Sequence, residues 1–159
     1  MPNHFHLVLW PKTDGDLSRY MQWLLTAHVR RYHQHYHSSG HVWQGRFKAF
    51  PIQEDEHLLT VLRCVERNAM RAELVRRVER WRWSSVAARP ADPRAAFLHD
   101  GPVPRPKNWL TAGELARVRH SVVRGTPFGE TTWIERAARR LGLESTLRPR
   151  GRPPKETEK

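Results

Sequence analysis

His4-Phe5-His6-Leu7-Val8-Leu9-Trp10 is the stretch on which the fold class turns. Phe5, Leu7 and Leu9 fall on one side of an extended chain and His4 and His6 on the other, the period of a half-buried strand. Pro11 and Thr13-Asp14-Gly15 end it. The next segment changes period. Leu17, Tyr20, Met21, Leu24, Leu25, His28, Val29 and Tyr32 follow the i, i+3, i+4, i+7 rule, so residues 16–36 are predicted to form an amphipathic helix. Arg19, Arg30 and Arg31 lie on its other face, and Ser38-Ser39-Gly40 closes it. The chain thus begins with a strand pattern followed by a helix pattern.

Val42 to Ile52 reads as a second extended segment, interrupted by Gly45 and Pro51. Glu54 to Arg71 reads as a second helix with acidic residues in its first turn, where the helix dipole favours them. Leu58, Leu62 and Val65 are its expected core stripe. His57, Val61, Cys64 and Asn68, spaced i, i+4, i+7 and i+11, form a neighbouring stripe on one side.

Beyond Trp81-Arg82-Trp83 the composition shifts. Residues 89–110, rich in the chain's 12 prolines, read as an irregular connector. Thr111 with Glu114 forms a capping box opening a helix to about Arg124, and Thr132 to Leu141 is a further helix. Together these make a helical region over 111–144. Residues 145–159 form a basic tail, expected to be disordered without a partner.

The 159 residues carry 28 Lys and Arg against 16 Asp and Glu, a net charge of +12. That balance argues against a small-molecule enzyme and for a polyanionic partner. Arg far outnumbers Lys, and the guanidinium is the group suited to bidentate phosphate contacts. A single cysteine, Cys64, excludes an internal disulfide framework and any Cys-rich zinc module. No apolar run approaches the roughly 20 residues that span a bilayer, and the N-terminus lacks a signal peptide's basic and apolar regions. A cytoplasmic, nucleoid-associated protein with no membrane partner is expected.

His4 and His6, at i and i+2 of a strand, point the same way and can converge on one ion or phosphate. In a chain with 10 histidines, two solvated side chains fit the same pattern. His28, His33, His35, His37 and His41 are irregularly spaced and read as a solvated or DNA-facing surface. Arg150-Gly151-Arg152-Pro153, with Arg148 before it, is similar to the core of an AT-hook, in which arginines enter the minor groove. A basic solubilising tail has the same composition.

Four stretches taken in order are more specific than any of these. They are Met1-Pro2-Asn3-His4-Phe5-His6-Leu7-Val8-Leu9, His41-Val42-Trp43-Gln44-Gly45-Arg46-Phe47-Lys48, Leu62-Arg63-Cys64-Val65-Glu66-Arg67-Asn68 and Trp81-Arg82-Trp83-Ser84-Ser85. The series resembles the REP-associated tyrosine transposases, a branch of the single-tyrosine HUH transposases. Arg124-Gly125-Thr126-Pro127-Phe128-Gly129 and Leu141-Gly142-Leu143 extend the resemblance over nearly the whole chain.

The resemblance implies an α+β fold, a ferredoxin-like or RRM-like antiparallel sheet with helices over residues 1–88, as a partial HUH core. In the family a strand, a helix and a further stretch precede the HUH strand, so the sheet is expected to be incomplete at the N-terminus. His4 and His6 match the family's two metal-binding histidines, and Asn68 its third ligand, for Mg²⁺ or Mn²⁺ polarising a scissile phosphate. The family nucleophile is a tyrosine four residues before that ligand. Here the position holds Cys64, a shorter and softer group poorly matched to a phosphodiester and better read as a small buried residue. Tyr20, Tyr32 and Tyr36 lie on another helix.

The function implied is metal-dependent cleavage and joining of single-stranded, hairpin, REP-like DNA in transposition, impaired by the loss of the tyrosine. The alternative is a non-catalytic DNA-binding remnant or a domesticated nucleic-acid-binding module. Arg46, Lys48, Arg148, Arg150 and Arg152 are the expected DNA contacts, in a monomer or homodimer.

Overall fold

The computed structural model describes residues 1, 3–88, 98–105 and 115–148, and divides the chain into two compact units, Met1–Lys48 and Ala49–Lys159.

The first unit is built on one long helix, α1 (Asp16–Tyr36). Gly15 precedes it at φ 87°, a left-handed conformation that glycine adopts without a Cβ clash. Asp16 then closes the turn on itself. Its Oδ2 accepts the N–H groups of Thr13 at 2.7 Å and Lys12 at 3.1 Å, and its Oδ1 accepts from Arg19 at 2.5 Å. The Arg19 hydrogen bond, followed by the Thr13 amide, holds the Asp16 carboxyl at about 2, below its ordinary value. At the other end His37 is left-handed, and the Ser38 N–H returns 3.3 Å to the His33 carbonyl, a Schellman-type closure.

The predicted strand over residues 4–10 does not form. No ladder includes it, and Phe5, Leu7, Leu9 and Trp10 are exposed. The segment is held instead by rings: Phe5 meets Trp43 edge-on at 5.4 Å, and Trp43 lies 4.8 Å from His28 of α1. Alternation decides which side chains share a face, but a strand exists only where a second backbone supplies the ladder. The second expected strand, 42–52, does not supply it, for residues 42–46 bend. The antiparallel ferredoxin-like sheet is therefore replaced by helices, with no sheet among the described residues. The α1 stripe is also thinner than expected: Met21 is buried, whereas Tyr20 and Tyr32 are exposed.

The second unit holds α2 (Glu56–Glu66), α3 (Asn68–Arg71), a 3₁₀ turn (Val78–Arg80), α4 (Ser85–Ala88), α5 (Leu115–Arg124), α6 (Thr131–Leu141) and a second 3₁₀ turn (Glu144–Leu147). The predicted helix 54–71 is thus interrupted at Arg67. Asp55 caps α2, its carboxylate accepting the His57 N–H at 2.8 Å. Leu58, Leu59, Val61 and Cys64 are buried, while Leu62 and Val65 are partly exposed. Cys64 is buried, as its reading as a small core residue expects, and Val61 of the same stripe joins it in the core.

The centre of this unit is the loop Thr126-Pro127-Phe128-Gly129, buried throughout between α5 and α6. Phe128 donates its N–H to the Pro51 carbonyl and accepts from Gln53, each at 2.9 Å, which makes the isolated parallel bridge between Ile52 and Phe128. Gly129 is required by contact. A Cβ there would stand 2.4 Å from Gln53 Oε1 and 2.7 Å from Trp133 Cε3. Helix α5 packs on α2, and α6 turns inward the small side chains of Ala137 and Ala138. Gly142, at φ 65°, ends α6 with a Leu143 N–H to Ala138 carbonyl bond of 2.8 Å.

Candidate nucleic-acid interface

In the first unit His4 and His6 are brought side by side, their ring centroids 5.1 Å apart and their planes at 76°. Asn3 Oδ1 lies 2.8 Å from His4 Nδ1, which orients that ring. Both imidazoles are exposed. Phe5, between them, is turned against Trp43, a contact that strand periodicity did not signal. His33 has a structural place: its Nε2 is 3.0 Å from the Gly40 carbonyl and its Nδ1 3.0 Å from the Ser38 hydroxyl. It ties the end of α1 to the following turn.

In the second unit Cys64 and Asn68 fall on successive turns. The Cys64 side chain is buried at 8% exposure. Arg71 donates to the Cys64 carbonyl at 2.6 Å, and the same nitrogen stands 3.5 Å from Asn68 Oδ1. The carboxamide oxygen therefore already faces a guanidinium. Two residues past Cys64, Glu66 is also buried, accepting the Ser85 hydroxyl at 2.8 Å with Arg105 at 4.0 Å. Among the described residues no group of three or more His, Cys, Asp or Glu side chains is placed to hold a metal ion.

Residues 1–68 match the family described as Transposase IS200 like. The match spans His4, His6, Cys64 and Asn68; residues 69–159 lie outside it. No curated protein and no solved structure matches the chain. No helix among the described residues is long and apolar enough to cross a membrane.

The expected DNA-contacting cations divide by position. Arg46 and Lys48 are exposed in the segment after α1, and Arg148 is exposed at the end of the second 3₁₀ turn. Arg150 and Arg152 lie outside the described residues. Two features were not anticipated. Arg124 donates to the carbonyls of Thr146, at 3.1 Å, and Arg148, and Thr126 donates to Thr146 at 3.1 Å. These bonds tie the root of the basic tail to α5. Helix α6 also exposes Arg136, Arg139 and Arg140 opposite its buried alanines. Helical spacing alone reveals that basic face.

Proposed function

We propose that this chain is a DNA-binding protein of transposase descent that takes single-stranded, hairpin-forming DNA, with its strand-cleaving step impaired. The observation that carries the reading is Cys64: within the segment matching IS200-like transposases, it stands at the expected nucleophile position and is buried. Attack on a phosphodiester needs a nucleophile that can reach the phosphorus in line. A buried thiol on a short side chain supplies neither the reach nor the hardness.

His4 and His6 fit a divalent cation as a donor pair, being adjacent, exposed and, at His4, oriented by Asn3. Asn68, the third ligand the resemblance implies, belongs to the second unit, where its carboxamide oxygen faces Arg71. Two imidazole donors suit Mn²⁺ better than Mg²⁺, which prefers oxygen ligands throughout. A bound cation would supply polarisation of a scissile phosphate. The chain's own residues contribute the rest. Asn3 fixes the His4 ring, Arg71 competes for Asn68, and Arg46, Lys48 and Arg148, with Arg150 and Arg152, neutralise phosphates of a REP-like target.

The test is strand cleavage and binding of a labelled hairpin with a single-stranded flank, in Mn²⁺ and in Mg²⁺. Binding without cutting by the natural chain is the expected result. A metal-dependent cut lost in both His6→Ala and Cys64→Ser would overturn the impairment, and absence of binding would overturn the reading altogether.

A further inference from the structure

Trp23 exposes 64% of its surface on the polar side of α1, away from Met21, Leu24 and Leu25. A single exposed apolar residue is ordinary; the neighbours of this one are not. Tyr20 lies beside it, the ring centroids 5.9 Å apart and the planes inclined by 40°. Arg19 precedes it by one helical turn and Arg30 follows by two. Between the cations, the small side chains of Thr26 and Ala27 leave a shallow concavity lined by Arg19, Gln22, Trp23, Thr26, Ala27 and Arg30. All six belong to one helix, so the arrangement is as rigid as α1 itself.

The geometry points to a stacking platform for single-stranded DNA along this face of α1: a base lies on the Trp23 ring, and the flanking phosphates meet Arg19 and Arg30. A strand laid on the helix encounters a cation, an aromatic face and a second cation within about 16 Å. Stacking on an aromatic face with a basic track for the backbone is the usual physics of single-strand binding. A duplex offers no such partner, because its base faces are already covered by their neighbours. Arg19 is also held by Asp16 at 2.5 Å, which leaves Arg30 as the less compensated of the two cations. The platform rests on the DNA-handling reading above and names where the strand is held.

The experiment uses the full chain, with anisotropy of labelled dT15, of the same backbone without bases, of a 15-base-pair duplex and of rU15. Trp23→Ala is expected to weaken dT15 binding about 5- to 150-fold. Binding of the abasic strand and of the duplex should be unchanged, and Trp23→Phe should retain most of the affinity. Arg30→Gln should lower the slope of log K against log salt by about 0.7. Circular dichroism confirms an intact helix, since Trp23 is exposed.

Equal dT15 binding by natural chain and Trp23→Ala overturns the platform and leaves the functional reading standing. Absence of dT15 binding by the natural chain overturns both. Tighter binding of rU15 than dT15 reassigns the face to RNA and overturns the proposal. So does a change of dimer to monomer in Trp23→Ala at unchanged affinity, which would make the occupant a second copy of the chain.

Discussion

Gln53 and Glu130, 77 residues apart, are joined by one hydrogen bond: Gln53 Oε1 accepts the Glu130 N–H at 2.8 Å. The acceptor is the atom nearest the Cβ that alanine would place at position 129. The bond fixes the start of α6 to the segment leading into α2, and the missing side chain of Gly129 makes room for it.

Gly129→Ala is therefore expected to destabilise the chain by about 1 to 3 kcal/mol, as overpacking does. Gln53→Ala should cost about 1 kcal/mol, because the Glu130 N–H is near solvent and water replaces the lost acceptor. The double variant should cost less than the sum, since removing the glutamine side chain relieves the closest contact. Urea midpoints of the four proteins measure this; strict additivity would show that the two positions do not share that space.

Phe128 is buried at 3% exposure, 5.4 Å from the His57 ring and 5.4 Å from the Arg117 guanidinium. Phe128→Ala removes a large side chain from the centre of the second unit. A loss of about 3 to 5 kcal/mol is expected, read from denaturant unfolding.

Asp16 gives α1 an acid-sensitive start. Its carboxyl is held at about 2, below the ordinary value of 3.8, so the folded form binds its proton less tightly than the unfolded form. The stabilisation is present above about 4 and is lost as pH falls towards 2. Ellipticity at 222 nm should decline over that window in the natural chain, and less steeply in Asp16→Asn. Identical acid titrations would show that the Asp16 hydrogen bonds do not support α1.

Arg124 holds the root of the basic tail through two carbonyls. Arg124→Gln should speed amide hydrogen exchange over residues 143–148 while leaving α2 protected. Fully buried amides of α2 exchanging equally fast would mean that the clamp supports the whole unit.

The exposed arginines of α6 should act through charge alone. Arg136→Gln, Arg139→Gln and Arg140→Gln together should lower the salt slope of duplex DNA binding by about 2 to 3, at about 0.9 for each phosphate that is no longer neutralised. Stability should change by less than about 0.5 kcal/mol for each replacement, because all three side chains are exposed. An unchanged slope would place the phosphates elsewhere.

The site is legible in the sequence to an uneven degree. His4 and His6 are neighbours, as i, i+2 spacing expects, yet they lie outside any strand, with Phe5 between them packed edge-on against Trp43. Cys64 and Asn68 fall one turn apart, as helical spacing demands. No spacing rule anticipates the Arg71 guanidinium between the Cys64 carbonyl and the Asn68 carboxamide, because that side chain reaches back across an interrupted helix.

What the sequence determined by itself is local. Helix α1 runs over the 21 residues of its 3.6-residue pattern, from Asp16 to Tyr36, and α6 occupies nearly its predicted span. In such helices the N–H of residue i meets the carbonyl of i−4, so a continuous pattern contains its own partners. Residues 4–10 carry an equally clear period of two, but a ladder draws its partners from a distant segment. Only the tertiary structure could decide whether that segment arrives. It decided against the sheet and joined Ile52 to Phe128 instead.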